Sequence, residues 1–443
     1  MIFKRKIYDE MLKWKREQNG KTALLIKGAR RVGKTTVARE FAEKEYQSYI
    51  LLDFAHISKE INSLFDDFYD MKDFFMRLQL LTHTSLYEHK SVIVLDEIQL
   101  NPKARQAIKY LVEDGRYDYI ETGSLLSIKK NTASILIPSE ETRITMNPMD
   151  YEEFCWALGD SNTCDMIRDS FLHHRSLGDS VNRQLMHDFR YYMLIGGMPQ
   201  AVVSYLETHD FSKIDQVKRS ILELYEDDFT KIDSTGTISR LFRGIPSELG
   251  KFASRYQISS VVNGRDSDDV ASKIGDMVDS LTVNIAWHAD DPNVGFALNR
   301  DSGKFKLYLA DTGLFTTLTF WDKSFTENII YEKLLFDKLA TNLGFLYENI
   351  VSQMLKAKGN ELYYYTFPLE QSNHLYEIDF LLSRENKICP IEVKSSGYRR
   401  HASLDAFYEK FSSRIKERYL IYTKDFRKDQ DVVMLPVYMT MFL

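Results

Sequence analysis

Apolar positions fall in short unbroken runs through the first third of the chain and at helical spacing through the middle. Residues 1–20 place apolar side chains at a helical period and predict an amphipathic helix. Thr22–Lys27 follows as a compact apolar run, and Lys34–Glu45 returns to helical spacing. Tyr49–Phe54, Ser91–Asp96, Tyr117–Thr122 and Thr142–Met146 read as further strands. Such runs, interleaved with helical stretches, predict a parallel α/β sheet over residues 1–146. From 147 to 235 the pattern is helical and rich in charge. Residues 236–325 change character again. Amphipathic Ser239–Tyr256 and a shorter helix, Asp268–Leu281, precede two strand-like segments, Val283–His288 and Lys304–Leu309. Two helices and a hairpin are the outline of a winged-helix module. In residues 326–443 a helix, Asn342–Lys358, precedes the strand Tyr376–Leu382 and a second strand holding Ile391–Lys394.

The first chemistry sits between the first strand and its helix. Gly28-Ala29-Arg30-Arg31-Val32-Gly33-Lys34-Thr35-Thr36 fits G-x-x-x-x-G-K-[ST], the phosphate-binding P-loop. Gly28 and Gly33 let the backbone turn its N–H groups toward phosphate, and the helix N-terminus adds partial positive charge. Lys34 would reach the β- and γ-phosphates of ATP, and the Thr35 hydroxyl would ligate Mg²⁺. The run Ser91–Asp96 then ends in Asp96-Glu97. Its acids emerge at the carboxyl end of a buried strand beside the P-loop. Asp96 is expected to hold Mg²⁺ and Glu97 to polarise the attacking water. Ser124, in Thr122-Gly123-Ser124, is the candidate contact to the γ-phosphate or that water, or else part of a plain turn. Arg143 reads as an arginine finger toward a neighbouring subunit of an oligomer, or as a surface strand arginine. Gly197 and Pro199, in Gly196-Gly197-Met198-Pro199, break two helical patterns. They mark either a lid element packing on adenine or a helix junction.

A second constellation lies near the C-terminus. Asp379 in one strand and Glu392 and Lys394 in the next form D…E-x-K, the pattern of metal-dependent phosphodiester nucleases. Glu392 and Lys394 point the same way because strand side chains alternate. Asp379 and Glu392 would share one Mg²⁺, Glu348 would add an outer contact from the helix, and Lys394 would orient water. Arg399, Arg400 and His401 follow as candidate phosphate contacts. Helix with Glu, strand with Asp, strand with E-x-K is the core order of restriction-endonuclease-like folds. The expected class is therefore α/β, with a P-loop NTPase parallel sheet, a helical lid, a winged helix and a nuclease-like α/β end.

The formal charge of −6 excludes a uniformly basic nucleic-acid coat. DNA contact would have to use local basic patches, and both ends supply them. The first 45 residues hold 13 Lys/Arg against 6 acids, and residues 383–430 hold 12 against 7. Asp268, Asp269, Asp276 and Asp279 make the second winged-helix helix a poor groove reader, so a protein partner is expected there. Three cysteines without CxxC spacing, no signal-peptide pattern and no membrane-length apolar run point to a cytoplasmic protein.

Taken together, the chain resembles a prokaryotic family of AAA-superfamily ATP-binding proteins with a C-terminal domain of unknown function. The hallmarks are Gly28–Thr36, Leu95–Gln99, Thr122–Ser124, Gly196–Pro199, Tyr308–Leu314, Glu348-Asn349, Glu377–Phe380 and Pro390–Ser395. The resemblance implies an ATPase core, a lid, a winged helix and a nuclease-like end. Two positions depart from the family pattern: Thr142 stands where Gly is frequent, and Ile378 where Pro is usual. Two functional readings stay open: an ATPase whose turnover gates nucleic-acid cleavage, and an ATP-dependent switch with an inactive nuclease fold.

Overall fold

The computed structural model describes residues 1–66, 70–124, 139–251, 254–262, 267–322, 328–336, 344–369 and 374–443. The expected domain boundary at 325/326 lies outside them. The chain forms two compact units, divided essentially after Asn147.

The first unit is built on five parallel strands, β1 (Ala23–Lys27), β2 (Ser48–Asp53), β3 (Ser91–Asp96), β4 (Asp118–Gly123) and β5 (Glu141–Thr145). Their order is β2-β3-β4-β1-β5. Every residue of β3 is buried, as its unbroken apolar run requires. The helix Ile7–Gln18 buries Ile7, Met11 and Trp14, positions spaced by four and three. The helix Pro102–Asp114 starts where the Asn101 side chain accepts from Ala104 N and ends at Gly115 in the left-handed region. β4 lies between β1 and β3, with Ile26 opposite Thr122 and Leu95 opposite Glu121. The carboxyl end of β4 therefore faces the space between the P-loop and Asp96.

The second unit is organised by an eight-stranded mixed sheet. Its strands are β6 (Val283–Ala289), β7 (Arg300–Leu309), β8 (Leu362–Pro368), β9 (Leu375–Arg384), β10 (Lys387–Val393), β11 (Arg418–Tyr422), β12 (Arg427–Asp429) and β13 (Val432–Pro436). The order is β12-β13-β11-β10-β9-β8-β6-β7. Among the described residues, three helices, Thr237–Gly250, Ile258–Val261 and Ser267–Asp279, precede the β6–β7 hairpin, and that hairpin does not stand alone as a wing. β6 pairs in parallel with β8, through Ala286–Leu362, Trp287–Tyr363 and His288–Tyr364. A hairpin standing alone would leave both edges unpaired, and joining the larger sheet satisfies one of them. The strands of the D…E-x-K pattern, β9 and β10, lie antiparallel with Ile391 opposite Phe380.

One buried ion cluster braces the first unit. Arg105 reaches Glu121 on β4 at 2.6 Å and Glu141 on β5 at 2.9 Å, and all three side chains are almost fully enclosed. Arg105 is shared between the two carboxylates, and Arg143 pairs with Glu141 but not with Glu121. Burial, with Glu141 adding to it, pushes Glu121 up to about 8 against the pull of Arg105. A carboxyl raised in the folded state holds its proton there while the unfolded chain has lost it. Its contribution is full below about pH 4.5 and is lost as pH rises toward 8. Glu121→Gln should therefore flatten the fall in melting temperature between pH 5 and pH 8. Parallel slopes for variant and wild type across that window would refute this account of the cluster.

Candidate functional site

The P-loop follows β1 and turns into the helix Lys34–Glu45. Gly28 packs so closely that a Cβ there would lie 2.6 Å from Met146 O. Gly33 has φ +100°, and Arg31 has φ +70°. The helix begins at Gly33 with no side-chain cap, so its first N–H groups are available to an anion. Lys34 Nζ lies 3.0 Å from both Gly28 O and Ala29 O, folded over the loop formed by Gly28, Ala29, Arg30, Arg31, Val32 and Gly33. Thr35 Oγ1 donates to Asp96 Oδ1 at 3.0 Å, and Thr122 Oγ1 donates to the same oxygen. Asp96 is buried. Hydroxyl and carboxylate oxygens at one point suit a hard cation such as Mg²⁺, and the loop geometry suits a triphosphate. Thr36 is the third residue of the helix.

Glu97 sits beside Asp96 in the left-handed region, φ +54°, a conformation uncommon for a residue with a side chain. The Gln99 amide donates to Glu97 Oε2 and so fixes the direction of that carboxylate. Ser124 follows β4 directly. Arg143 pairs with Glu141 at 2.7 Å on the edge strand β5 and is about half exposed.

Two residues of this site escaped the sequence reading. Thr122 shares Asp96 with Thr35, and only the strand order puts it there. Arg5 is buried and donates to Val32 O at 2.9 Å and to Asn147 O at 2.7 Å, tying the P-loop backbone to the end of the unit. In the sequence it is one cation in a basic run, with nothing to single it out.

Gly197 and Pro199 belong to the second unit, and what the structure shows of them there is packing. Pro199 is the first residue of the helix Pro199–Thr208. A Cβ on Gly197 would lie 2.1 Å from Met149 O, and one on Gly313 would lie 2.4 Å from Ile195 O. Asp311 joins the two segments: Oδ2 accepts from Gly197 N at 2.5 Å and Oδ1 from Leu314 N at 2.8 Å. Burial raises the Asp311 carboxyl, and those N–H groups oppose the rise. Lys218 donates to Leu194 O at 2.7 Å and to Gly313 O at 3.1 Å, and burial lowers it to about 8. Asn349 exchanges hydrogen bonds with the Leu309 backbone, and Gln353 links Thr312 to the Tyr192 hydroxyl. Three sequence motifs, Gly196–Pro199, Tyr308–Leu314 and Glu348-Asn349, thus form one buried polar joint.

The D…E-x-K residues line a pocket of about 420 Å³ in the second unit, with Glu348, Asp379, Glu392 and Lys394 all in its wall. Asp379 Oδ2 accepts from Val393 N at 2.6 Å, which locks β9 to β10. Glu392 Oε1 meets Lys394 Nζ at 2.8 Å, while Glu392 Oε2 is buried without a hydrogen-bond partner. Burial raises Asp379 well above the usual carboxylate range, with Glu348 and Glu377 adding repulsion. Burial also raises Glu348 and Glu392.

The sequence reading missed Lys306 and Glu377. Lys306 comes from β7, contacts Glu377 and lies 3.7 Å from Glu348. Burial alone would lower its ammonium, but Glu377, Glu348 and Asp379 outweigh it and hold it well above the ordinary value. Glu348, Asp379 and Glu392 share the pocket but do not close into a tight ligand triad. Among the described residues, that closeness, within 4.8 Å, belongs to His288, Asp290 and Asp301. There His288 Nε2 accepts from Thr366 N at 3.3 Å, His288 Nδ1 faces Asp290 at 3.2 Å, and Asp301 pairs with Lys304 at 2.9 Å. Both ring nitrogens of that histidine are already engaged. Arg399 and Arg400 are exposed and His401 pairs with Asp405 at 2.9 Å, so the three stand outside the pocket wall. Their turn follows β10, and Ser395, Ser396 and Ser403 on either side of it line the pocket.

An AAA domain model matches residues 20–155, and two domains of unknown function match residues 186–324 (DUF8612) and 343–439 (DUF4143). Lys306 falls in the first of these two and Glu348, Asp379, Glu392 and Lys394 in the second, so the pocket draws on both. No curated protein matches. Among solved structures, the Aeropyrum pernix ORC1 protein in complex with DNA is 13% identical, over 72% of this chain and 93% of that one, with a TM-score of 0.28. A Pyrococcus horikoshii signal transduction ATPase with numerous domains, with a tetratricopeptide repeat sensor, is 10% identical, over 79% of this chain and 45% of that one, also at 0.28. Likenesses that loose leave the argument to this chain's own residues. Among the described residues, no helix is long and apolar enough to cross a membrane.

The joint makes a prediction about glycine. Gly197→Ala and Gly313→Ala each force a Cβ into backbone and should cost about 2 kcal/mol or more of stability. Gly275 lies on an exposed helical face with nothing within 4 Å of its added Cβ. Gly275→Ala should be neutral or stabilising by about 0.5–1 kcal/mol. Urea titrations of the full chain decide the matter, and three equal midpoints would remove the packing argument.

Proposed function

Since the chain carries an AAA-superfamily P-loop domain followed by two domains of unknown function, we propose that it binds and hydrolyses ATP with Mg²⁺, and that its second unit acts on nucleic acid through the D…E-x-K pocket. The observation that carries the first half is the convergence of Thr35 and Thr122 on one oxygen of buried Asp96. Lys34 exchanges its carbonyl partners for the β- and γ-phosphates. Thr35 and Asp96 hold the metal, which when bound draws charge from the phosphate oxygens. Glu97, aimed by Gln99, takes a proton from the attacking water, and Ser124 contacts the γ-phosphate side. Arg5 is a positioning residue for the loop backbone.

In the second unit, the unpartnered Oε2 of Glu392 and the acids around it support a divalent cation held by Asp379 and Glu392 with Glu348 behind. Lys394 then stands beside the scissile phosphate. One observation favours the rival reading, a switch whose nuclease fold only binds. Lys306 already places a cation among Glu348, Glu377 and Asp379. An ammonium there offsets part of the repulsion that would otherwise call for metal.

Phosphate release separates the parts of the first site. Glu97→Gln should lower turnover by about a hundredfold or more and leave ATP affinity nearly unchanged. Lys34→Ala should abolish binding. Equal turnover in Glu97→Gln and wild type would remove Glu97 from the chemistry. For the second site, Mn²⁺ should raise the melting temperature of the full chain in a Lys34→Ala background, and Asp379→Asn should lose that gain. Plasmid nicking in Mn²⁺ that stops in Lys394→Ala supports cleavage. Metal stabilisation without nicking supports the binding module, and no metal effect at all sinks the metal site.

A further inference from the structure

The second unit contains a larger cavity than the D…E-x-K pocket. It measures about 900 Å³ and meets the smaller one at Ser395 and Ser396, which line both. One wall is the helix Asp179–Ile195, which contributes Arg183 and Arg190. The segment between β11 and β12, with the first residue of β12, contributes Lys424 and Arg427 to the lining. The turn after β10 adds Tyr398.

The charge of this groove is lopsided. Its lining carries four cations and two carboxylates, Asp179 and Asp425, in a chain whose net charge is −6. One of those carboxylates is spent on structure. Asp425 is buried and accepts from Leu177 N at 3.2 Å, Gly178 N at 2.6 Å and Phe426 N at 2.8 Å. Arg183 and Lys424 are exposed, and neither has an ion-pair partner among the described residues. A concave surface with unpaired cations concentrates polyanions. The groove also offers an aromatic surface. The Tyr398 ring is half-buried and braced edge-on by Tyr422, with centroids 5.3 Å apart at 69°. Cations along a groove with an aromatic ring beside them match the way single strands are held, backbone on charge and base on ring.

We propose that this groove binds a single strand of nucleic acid and leads its phosphodiester backbone past Ser395 and Ser396 to Glu392 and Lys394. Arg183 and Lys424 contact phosphates, and Tyr398 stacks a base. The proposal rests on the reading of the smaller pocket as one that acts on nucleic acid, and it names the strand's path and form.

The test is fluorescence anisotropy with the full chain and labelled oligonucleotides: a deoxythymidine 12-mer, a uridine 12-mer and a mixed duplex. Each is titrated at 50 and 200 mM salt. Arg183→Glu combined with Lys424→Glu should weaken single-strand binding at least tenfold and lower the salt dependence. Tyr398→Ala should weaken it severalfold at both salts. Arg399→Glu with Arg400→Glu reverses two exposed cations outside the groove and should change affinity less than threefold. An unchanged melting temperature for the Arg183/Lys424 double variant secures its fold. Tighter binding of the DNA or of the RNA strand identifies the source of the strand, and either supports the groove. Wild-type affinity in the Arg183/Lys424 variant, or equal loss in the Arg399/Arg400 control, overturns the groove. Neither result touches the reading of the smaller pocket, which nicking by wild type would still support. A preference for the duplex overturns the single-stranded occupant. Failure of wild type to bind any of the three probes or to nick DNA overturns both.

Discussion

A carboxylate taken out of water must be met by N–H or O–H donors or by a cation, because leaving it bare costs several kcal/mol. This chain buries carboxylates wherever its chemistry is concentrated, and it answers the constraint in three ways. Asp96 is met by the hydroxyls of Thr35 and Thr122, neutral donors that a metal ion can share. Asp311 is met by the backbone N–H groups of Gly197 and Leu314, which no ligand would displace without opening the joint. The Glu348, Glu377, Asp379 and Glu392 group is met by the ammonium groups of Lys306 and Lys394. The type of partner separates the roles. Hydroxyls leave a site open to ligands, backbone donors fix a carboxylate in place, as Val393 N does one oxygen of Asp379, and ammonium groups supply charge that another cation could replace.

That distinction decides how the motifs divide. Gly28 and Gly197 are both glycines without room for a side chain, and both lie in prominent sequence motifs. At Gly28 the neighbour is Met146 O, and the closeness keeps the P-loop against the end of β5. At Gly197 the neighbours are Met149 and a buried carboxylate more than a hundred residues away in sequence. Motif strength alone does not tell a ligand site from a lock.

The sequence was legible where function is local. Residues 28–36 contain their own turn, charge and hydroxyl, and the apolar run before Asp96 announces its strand. It was less legible where residues meet only through sheet order. Thr122 comes beside Asp96 because β4 is inserted between β1 and β3. Lys306 alternates with apolar residues in β7 like any strand lysine, and the winged-helix outline gave its hairpin no tie to the later strands. Once β6 pairs with β8, that hairpin joins the sheet of β9 and β10, and Lys306 reaches Glu377. Arg399 and Arg400 were legible as candidate phosphate contacts because they follow E-x-K within a few residues. The cations that line the groove come from the helix Asp179–Ile195 and from the stretch Lys424 to Arg427, at distances no local pattern spans.

The charge of the smaller pocket carries the last step. Four carboxylates and two ammonium groups surround it, so full ionisation leaves two negative charges in a half-open pocket. Two agents can remove that excess. Protons can, since burial raises the carboxyls of Glu348, Asp379 and Glu392. One divalent cation can also, with no change in the lysines. A phosphodiester strand entering from the groove, as proposed, would bring more negative charge and make protons alone a poorer answer, while a divalent cation held by Asp379 and Glu392 would relieve carboxylate and phosphate together. Under the proposed function, substrate and metal would therefore favour each other's binding, and Lys306, already among the acids, would set how strongly the metal must compete to enter.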